Sequence, residues 1–363
     1  MSLLRELLIE TVRREASDLH LKSGAPPVVR VHGELQVCPH EPLSAETVTA
    51  LIEEVMPAHT RDRFEREREA DFSLAEEGVG RFRVNVFMSF GRPGLVLRHV
   101  KSEIPTFEQL NLPLQLKKLA ATPRGIILAS GTTGSGKSTT LAAMINQINQ
   151  DRQCRIITIE DPIEYAFADR QSIISQREVG LDTASFNVAL KAVLRQDPDV
   201  IMIGEMRDAE SFTAALSAAE TGHLVFSTVH TGSAGQTINR ILDFFPAEER
   251  EQVRLSLADN LRAVFCQRLI PASRGGVVPA VEILINTSLV RKIMVKNALD
   301  KIEAAIETGR EDGMQTFNQH IYQLIRGGVI TEEQGLQRAS NPEALRMNLR
   351  GIFLDEDKRI LSV

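Results

Sequence analysis

The chain has 363 residues, of which 43% are hydrophobic and 25% are charged, and its net charge at pH 7 is −6. These proportions exclude a largely disordered chain, and the length predicts two or three domains. The acidic balance argues against binding to nucleic-acid phosphates, and no uncharged run approaches the roughly 18 apolar residues of a membrane helix. We therefore expect no nucleic-acid partner and no direct membrane insertion.

The amino terminus and the cysteines indicate the compartment. Residues 1–10 alternate apolar with charged positions and lack the uncharged core of a signal peptide. Cys38, Cys154 and Cys266 lie more than a hundred residues apart and form no C-x-x-C pair, which argues against a zinc ribbon or a disulfide framework. The sequence predicts a cytoplasmic protein.

Residues 1–103 predict a small α+β domain. Apolar residues at helical spacing and short apolar runs mark its first elements. In order these are a helix at 3–12, a strand and turn at 28–35, a helix at 45–56 and a charged, solvated helix face at 61–69. Ser44 is the predicted N-cap of the second helix.

The end of this domain predicts a hairpin that carries arginines. Residues 81–88 alternate strictly, so that Arg81 and Arg83 share one strand face. Residues 91–94 predict a turn, and the returning strand brings Arg98 near the first two arginines. The alternative is a set of ordinary surface arginines.

Residues 104–113, with a proline near each end, predict a linker, and strands alternate with helices after it. This alternation is typical of an α/β domain with a parallel sheet, which we place at residues 114–285. Its predicted strands are residues 125–130, 154–160, 200–205 and 223–230. Residues 286–363 predict a helical region.

A phosphate-binding loop lies between the first of these strands and the following helix. The sequence matches G-x-x-x-x-G-K-[ST], and its residues are Gly131, Thr132, Thr133, Gly134, Ser135, Gly136, Lys137 and Ser138, followed by Thr139. In such loops the backbone N–H groups face the phosphates, the lysine reaches the β and γ oxygens, and the hydroxyl binds Mg²⁺. The motif predicts binding of ATP with Mg²⁺, with Ser138 as the metal ligand.

Carboxylates end two further strands of the predicted sheet. Glu205 follows four apolar residues, while Glu160, Asp161 and Glu164 follow another apolar run. Carboxyl ends of parallel strands share one edge, so these acids are candidates for holding the metal's water shell and orienting the attacking water. The alternative for each is a solvated loop carboxylate.

The last predicted strand has a histidine at each end, His223 and His230. His230 lies at the carboxyl edge, where it is placed to sense the γ-phosphate. The alternative, a satisfied structural histidine, applies more strongly to His223.

These segments together resemble the secretion-ATPase superfamily, which drives type II and type IV secretion, pilus assembly and pilus retraction. The fifteen residues at 194–208 are a specific signature, and the order of Walker A, acidic box, Walker B and histidine box matches. Within the superfamily the chain most resembles the twitching-motility retraction ATPases. Three more segments carry this resemblance: residues 16–21 (ASDLHL), 176–180 (QREVG) and 313–317 (GMQTF).

The resemblance implies a fold and roles for the candidate residues. The fold is a RecA-like P-loop ATPase core with a PAS-like amino-terminal domain and a helical carboxyl-terminal region. Glu205 becomes the Walker B glutamate, Glu164 closes the acidic box, and His223 and His230 form the histidine box. Family members form hexamers in which the amino-terminal domain supplies arginines to the phosphates, which implies this role for three residues: Arg81, Arg83 and Arg98.

The resemblance also implies partners and a location. These are other copies of the chain in a hexamer, an inner-membrane pilus platform protein and a paralogous pilus ATPase. The protein is then peripheral to the inner membrane through the pilus machinery.

One stretch departs from the primary retraction motors, which carry AIRNLIRE in the late helical region. Here residues 289–296 read LVRKIMVK, and only Arg291 keeps the charge pattern. This favours the accessory PilU-like branch.

Three alternatives stay open. A pilus-assembly or type II secretion ATPase shares the chemistry, but such relatives usually carry a tetracysteine zinc loop and a longer amino-terminal region, which this chain lacks. A nucleic-acid translocase is disfavoured by the negative charge and the absence of tryptophan. A scaffold that binds nucleotide without hydrolysis is disfavoured because every expected acidic and arginine position is filled.

Overall fold

The computed structural model describes residues 2–31 and 33–352, apart from the side chain of His59. His32, in the predicted strand and turn at 28–35, lies outside the described residues. The chain divides into two compact units, and the short segment Ile163–Ala166 groups with the amino-terminal one. The sequence of residues 163–166 did not indicate that grouping.

The amino-terminal unit is an antiparallel sheet with three helices. The helices are α1 (Leu3–Arg13), α2 (Ala45–Val55) and α3 (Ala58–Glu67). The strands are β1 (Asp18–Lys22), β2 (Val28–Val31), β3 (Glu34–Val37), β4 (Glu69–Glu76), β5 (Gly80–Ser89) and β6 (Arg92–Val100). Their order in the sheet is β3-β2-β1-β6-β5-β4.

Alternation along the strands gives this sheet one apolar and one polar face. Phe82, Val84 and Val86 of β5 are fully buried and pack in one cluster with Leu7 and Leu8 of α1. The residues between them on β5 face the other way. The predicted N-cap of α2 is confirmed, because the Ser44 side chain accepts a hydrogen bond from the backbone N–H of Thr47.

The hairpin of β5 and β6 turns earlier than predicted. Phe90 and Gly91 have φ values of 51° and 71°, and β6 already begins at Arg92. Two central residues with positive φ match the right-handed twist of the flanking strands. The predicted turn at residues 91–94 is therefore corrected to the two residues Phe90 and Gly91.

The second unit contains a seven-stranded sheet. Its strands are β7 (Gly125–Ser130), β8 (Arg155–Glu160), β9 (Ile173–Glu178), β10 (Val200–Ile203), β11 (Leu224–Val229), β12 (Leu261–Pro271) and β13 (Val277–Ile285). The order is β13-β12-β7-β11-β10-β8-β9. All neighbouring pairs are parallel except β12 with β13.

Helices cover both faces of this sheet. They are α4 (Leu114–Ala120), α5 (Lys137–Asp151), α6 (Phe186–Val193), α7 (Ala209–Glu220), α8 (Ala234–Leu242), α9 (Arg250–Asn260), α10 (Ser288–Val295), α11 (Ile302–Thr308), α12 (Phe317–Arg326), α13 (Glu332–Arg338) and α14 (Pro342–Leu349). A 3₁₀ turn, Leu299–Lys301, precedes α11. One core lies between the sheet and α5, and a larger one lies on the opposite face.

The four strands predicted for this unit are present within two residues of their expected ends. β10 ends at Ile203, so that Glu205 lies in the loop after the strand, and β11 excludes the histidine on each side of it. Fully buried strands are expected in a parallel sheet covered on both faces.

Among the described helices, none has the length and apolar character needed to cross a membrane.

Candidate functional site

The phosphate-loop motif forms the connection from β7 to α5. Gly134 and Gly136 have φ values of 77° and 87°, a backbone region that side chains rarely adopt, and Gly136 is the N-cap of α5. The loop therefore turns sharply into the first turn of a fifteen-residue helix. The first N–H groups of such a helix have no intrahelical partner and favour an anion.

Two glycines of the loop are required by close contacts. A Cβ on Gly131 would lie 2.5 Å from the backbone oxygen of Gln267 and 2.6 Å from Oγ of Ser135. A Cβ on Gly136 would lie 2.7 Å from Nε2 of Gln267. The loop is thus packed on β12, which leaves its outer side for a ligand.

Lys137 and Ser135 provide polar groups within the phosphate loop, residues 131–138, which we call the phosphate cradle. The Lys137 ammonium donates to the backbone oxygens of Gly131 and Thr132 at 2.9 and 3.0 Å. Oγ of Ser135 is buried and has no hydrogen-bond partner in the described part of the chain. A buried cation, an unsatisfied hydroxyl and the start of a helix together suit a phosphate group.

The remaining motif residues lie where the sequence predicts. Thr132, Thr133 and Gly134 are exposed on the rim of the loop. Ser138 and Thr139 lie in the first turn of α5 and are half-buried. Ser138 follows Lys137 at the start of α5, and its role as a ligand of Mg²⁺ stays a prediction.

Hydrogen bonds join the strand ends beside the loop. Oγ of Ser130, the residue before the loop, donates to the backbone oxygen of Val229 and accepts from the N–H of Thr231, both at 3.1 Å. Oγ1 of Thr228 donates to the backbone oxygen of Gly204 at 2.7 Å. The ends of β7, β11 and β10 are thereby held together at one edge of the sheet.

Glu205 and His230 meet at this edge. Nε2 of His230 lies 3.6 Å from Oε2 of Glu205, and Arg207 forms an ion pair with the other carboxylate oxygen. The Glu205 side chain is only 14% exposed, whereas that of Arg207 is 74% exposed. The structure therefore brings together a carboxylate and an imidazole at the edge that also carries the phosphate loop.

Glu160 is buried at the end of β8 and is held by side-chain donors. Oγ1 of Thr158 donates to its Oε1 at 2.6 Å, and Nε2 of Gln176 donates to the same atom at 3.2 Å. Gln176 begins the QREVG segment on β9, a strand that the sequence pattern did not identify. These two donors fix the orientation of the carboxylate.

His223 lies at the opposite edge of the sheet from the phosphate loop. Its backbone oxygen accepts from the N–H of Gly125 at the start of β7, and its Nδ1 lies 2.8 Å from the backbone oxygen of Ala218. The six residues of β11 separate the two edges by roughly 20 Å. The structure therefore does not bring His223 to the cradle of its own chain, because His223 precedes β11 and the starts of parallel strands lie at the edge opposite the loop; its nucleotide-binding role stays a prediction.

The other predicted site residues belong to the amino-terminal unit. Glu164 is exposed, and the segment around it attaches to that unit where the backbone N–H of Ala166 donates to the oxygen of Lys101. Arg83 and Arg98 stand directly opposite each other on β5 and β6, and Arg81 lies two residues before Arg83. The predicted clustering of the three arginines is confirmed, while their roles stay predictions.

Acidic partners already hold two of these arginines. Nε of Arg98 donates to Oδ1 of Asp18 at 2.8 Å, and Arg83 lies 3.6 Å from Oδ1 of Asp71. Burial alone raises the pKa of Asp18, but hydrogen bonds from Arg98 and Ser17 outweigh it and hold that pKa below its ordinary value. Asp18 is therefore a charged, buried partner of Arg98.

Two buried polar residues were assigned no role in the site from the sequence. Gln267 and Glu282 lie on β12 and β13 and are 3% and 6% exposed. Burial raises the pKa of Glu282 to about 7, although the N–H of Ala234 and the charge of Arg268 oppose this. The available signal was a polar residue inside a long apolar run, as in AVFCQRLI and VVPAVEILI.

Comparison with known proteins gives consistent matches over nearly the whole chain. The family described as type II/IV secretion system protein matches residues 1–348. The type IV pilus retraction ATPase PilT of Pseudomonas aeruginosa is 44% identical over 340 residues, covering 94% of this chain and 99% of that protein. The type IV pilus ATPase PilU of the same organism is 43% identical over 346 residues, covering 95% of this chain and 91% of that protein.

A solved structure matches equally well. The crystal structure of the pilus retraction motor PilT with bound ADP has a TM-score of 0.87 and 45% sequence identity. The match covers 94% of this chain and 98% of that chain. It confirms the predicted α/β fold class.

Proposed function

Because the chain belongs to the type II/IV secretion system protein family, we propose that it is an ATPase motor that powers the retraction of type IV pili. The observation that carries the proposal is a complete phosphate cradle on the same sheet edge as the Glu205–His230 pair. The PilT and PilU proteins that it resembles are named for pilus retraction and pilus ATPase activity. The reaction class is hydrolysis of a nucleoside triphosphate.

The cradle binds the phosphates through its backbone and Lys137. Positive φ at Gly134 and Gly136 turns the loop so that successive N–H groups and the start of α5 face the ligand. The Lys137 ammonium, now on the oxygens of Gly131 and Thr132, lies within the loop and is placed to shift onto phosphate oxygens. Negative charge at this position is stabilised by the helix N-terminus as well as by the lysine.

Ser138 is the proposed ligand of Mg²⁺, and Glu205 is the proposed residue that orients the attacking water. When bound, Mg²⁺ neutralises charge that develops on the phosphate oxygens. Glu205 is largely buried and is in contact with Arg207 and His230, which orient its carboxylate at this edge. A carboxylate fixed in this way accepts a hydrogen bond from water without reorganising during the reaction.

We also propose that the protein works as a homo-oligomer, most simply a hexamer. In this arrangement Arg81, Arg83 and Arg98 act on the nucleotide of a neighbouring copy, as in the motors that the sequence resembles. Positive charge supplied by an arginine is worth 10³ to 10⁵ in rate in other phosphate-transfer enzymes. The confirmed clustering of the three arginines on one sheet face supports this role.

The remaining partners follow from the retraction function. The proposed motor acts through an inner-membrane pilus platform protein, at the cytoplasmic side of that membrane, as the resemblance to the retraction ATPases implies. A paralogous pilus ATPase is a second proposed partner. The near-equal identities to PilT and PilU favour neither a primary nor an accessory motor.

The departure at residues 289–296 maps onto α10. Arg291, the residue that keeps the charge pattern, donates through Nε to Oδ1 of Asp259 on α9 at 2.9 Å. Leu289 and Val295 of this helix are exposed. The altered sequence therefore changes a surface helix rather than the nucleotide site.

The biochemical test is magnesium-dependent ATP hydrolysis by the purified oligomer. Glu205→Gln should keep ATP binding and lower kcat by at least a hundredfold, because the amide cannot orient water as a carboxylate does. Lys137→Ala should lose binding as well. Equal turnover of Glu205→Gln and wild type would move the catalytic role to another acid.

A further inference from the structure

Gln267 is a polar residue in the protein interior, and packing alone does not explain its presence there. It is 3% exposed, and it lies on the face of β12 whose neighbours Ala263 and Phe265 pack with the residues of α5. An uncharged amide in such a place costs free energy unless its donors and acceptor are paired. Both ends of this side chain are paired with the phosphate loop and its helix.

The two hydrogen bonds of Gln267 connect three segments. Nε2 donates to the backbone oxygen of Ser135 at 2.7 Å, and Oε1 accepts from Oγ1 of Thr140 at 2.8 Å. Ser135 and Thr140 are 4% and 1% exposed. The amide therefore joins the fifth residue of the loop, the first turns of α5 and the strand beside β7.

The hydrogen bond to Ser135 fixes the direction of a loop N–H. In a planar trans peptide the C=O of one residue and the N–H of the next point in opposite directions. Because the oxygen of Ser135 points toward β12, the N–H of Gly136 points away from β12. That direction leads to the outer side of the loop, where a phosphate would bind.

We propose that Gln267 positions the Ser135–Gly136 peptide for phosphate binding, so that the affinity for nucleotide depends on a side chain from β12. The inference rests on the proposed ATPase function. Gln267 is a positioning residue, because it contacts the loop and not the ligand. Close packing supports this, since an added Cβ on Gly136 would lie 2.7 Å from the Gln267 amide nitrogen and one on Gly131 would lie 2.5 Å from its backbone oxygen.

The first test replaces Gln267 with methionine, which has similar length and no N–H donor. For Gln267→Met we expect the Kd for ATP and for ADP, and the KM for ATP, to rise on the order of tenfold, as for a lost buried hydrogen bond. The value of kcat should change less than threefold, because Glu205 and His230 are untouched. A general folding defect would instead lower kcat and leave KM unchanged.

A matched control is Gln319→Met. Nε2 of Gln319 on α12 also donates to a backbone oxygen, that of Glu307 on α11, at 3.0 Å, and its Oε1 accepts from the N–H of Thr316. This variant should keep the wild-type Kd and KM. Wild-type Kd and KM in a folded Gln267→Met protein would overturn the inference while leaving the ATPase proposal intact, and wild-type protein that neither binds nor hydrolyses ATP would overturn both.

A second variant, Gln267→Glu, keeps size and the acceptor for Thr140. Its ionised carboxylate cannot donate to Ser135, whereas its protonated form can. Lys137 is the charged residue at the start of the same helix, and burial opposes ionisation of the new carboxyl. ATP binding should be at least tenfold weaker than in wild type at pH 8 and should recover toward wild type at pH 6. Unchanged affinity at pH 8, or a loss that is equal at both values of pH, would overturn the positioning role.

Discussion

At the scale of single residues, the Asp18–Arg98 pair shows why arginine variants need separate treatment. The Asp18 side chain is 6% exposed, and the guanidinium of Arg98 is its charged partner. Arg81 is exposed and forms no ion pair among the described residues. Loss of activity in an Arg98 variant therefore mixes an effect on folding with any effect on nucleotide.

We predict that Arg98→Ala lowers the free energy of unfolding by about 1–3 kcal/mol at pH 7, because a buried carboxylate loses its donor. The pKa of Asp18 lies below its ordinary value of 3.8, so this stabilisation is present above that value and is lost as pH falls through the folded-state pKa. Denaturant unfolding at pH 7 and pH 3 measures it. An equal difference at both values of pH would contradict the account.

Arg81→Ala separates the catalytic role from stability. Because Arg81 is exposed and unpaired in the described residues, its removal should change the unfolding free energy by less than about 0.5 kcal/mol. ATP hydrolysis by the oligomer should nevertheless fall at least tenfold if this arginine reaches a neighbouring nucleotide. A wild-type rate in intact oligomers would remove Arg81 from the proposed mechanism.

Glu282 gives a prediction with the opposite pH dependence. Its pKa is raised from 4.5 to about 7, so the folded state holds a proton that the unfolded state releases, and stability falls as pH rises from 4.5 through 7. Glu282→Gln keeps an acceptor for the N–H of Ala234 and removes this loss. Urea unfolding should show that the variant is up to about 3 kcal/mol more stable than wild type at pH 8. At pH 5 this gain in stability should be less than about 1 kcal/mol. A difference that does not change with pH would refute the shifted pKa.

At the scale of elements, the β5–β6 hairpin stores strain at its turn. Phe90 has φ of 51° and is fully exposed, so its side chain gains nothing from packing. Asparagine tolerates this conformation better than phenylalanine. We predict that Phe90→Asn raises the free energy of unfolding by about 0.5–1 kcal/mol, measured by denaturant unfolding of the whole chain.

The neighbouring glycine provides the matched control. A Cβ on Gly91 would meet nothing within 4 Å, but its φ is 71°. Gly91→Ala should therefore destabilise through backbone strain alone, by about 1 kcal/mol. Destabilisation by Phe90→Asn would contradict the backbone strain assigned to this turn.

The elements predicted from the sequence were those whose pattern is contained in their own residues. Ser44 indicated the start of α2 as its N-cap, and the phosphate-loop motif identified both the strand and the helix around it. The strands β9, β12 and β13 were missed, because four of the six residues of β9 are polar and because the buried residues Gln267 and Glu282 interrupt the apolar pattern of β12 and β13. Those residues are explained only by partners far away in sequence.

The site residues divide in the same way, into those indicated by a local sequence pattern and those explained only by partners far away in sequence. Glu205 and His230 could be predicted to converge, because both follow parallel strands of one sheet. His223 was assigned to the nucleotide although it precedes its strand, and the strand's direction places it at the other edge. The contact of Gln267 with Ser135 could not be predicted, since 132 residues separate them.

At the scale of the whole molecule, the proposed function places one ATP site on each chain of a proposed ring that pulls a pilus. The chemistry is common to motors that assemble pili and motors that retract them. Purified ATPase activity therefore tests the site but not the direction of work. Only the fate of the pilus in cells separates the two.

The most direct test is to delete the gene in its host and count labelled pili and their retraction events by fluorescence microscopy. We expect long pili that persist on the surface, few or no retractions and loss of twitching, all restored by the wild-type gene and not by Lys137→Ala. Cells without pili would contradict this expectation, because they would identify a motor that assembles the pilus.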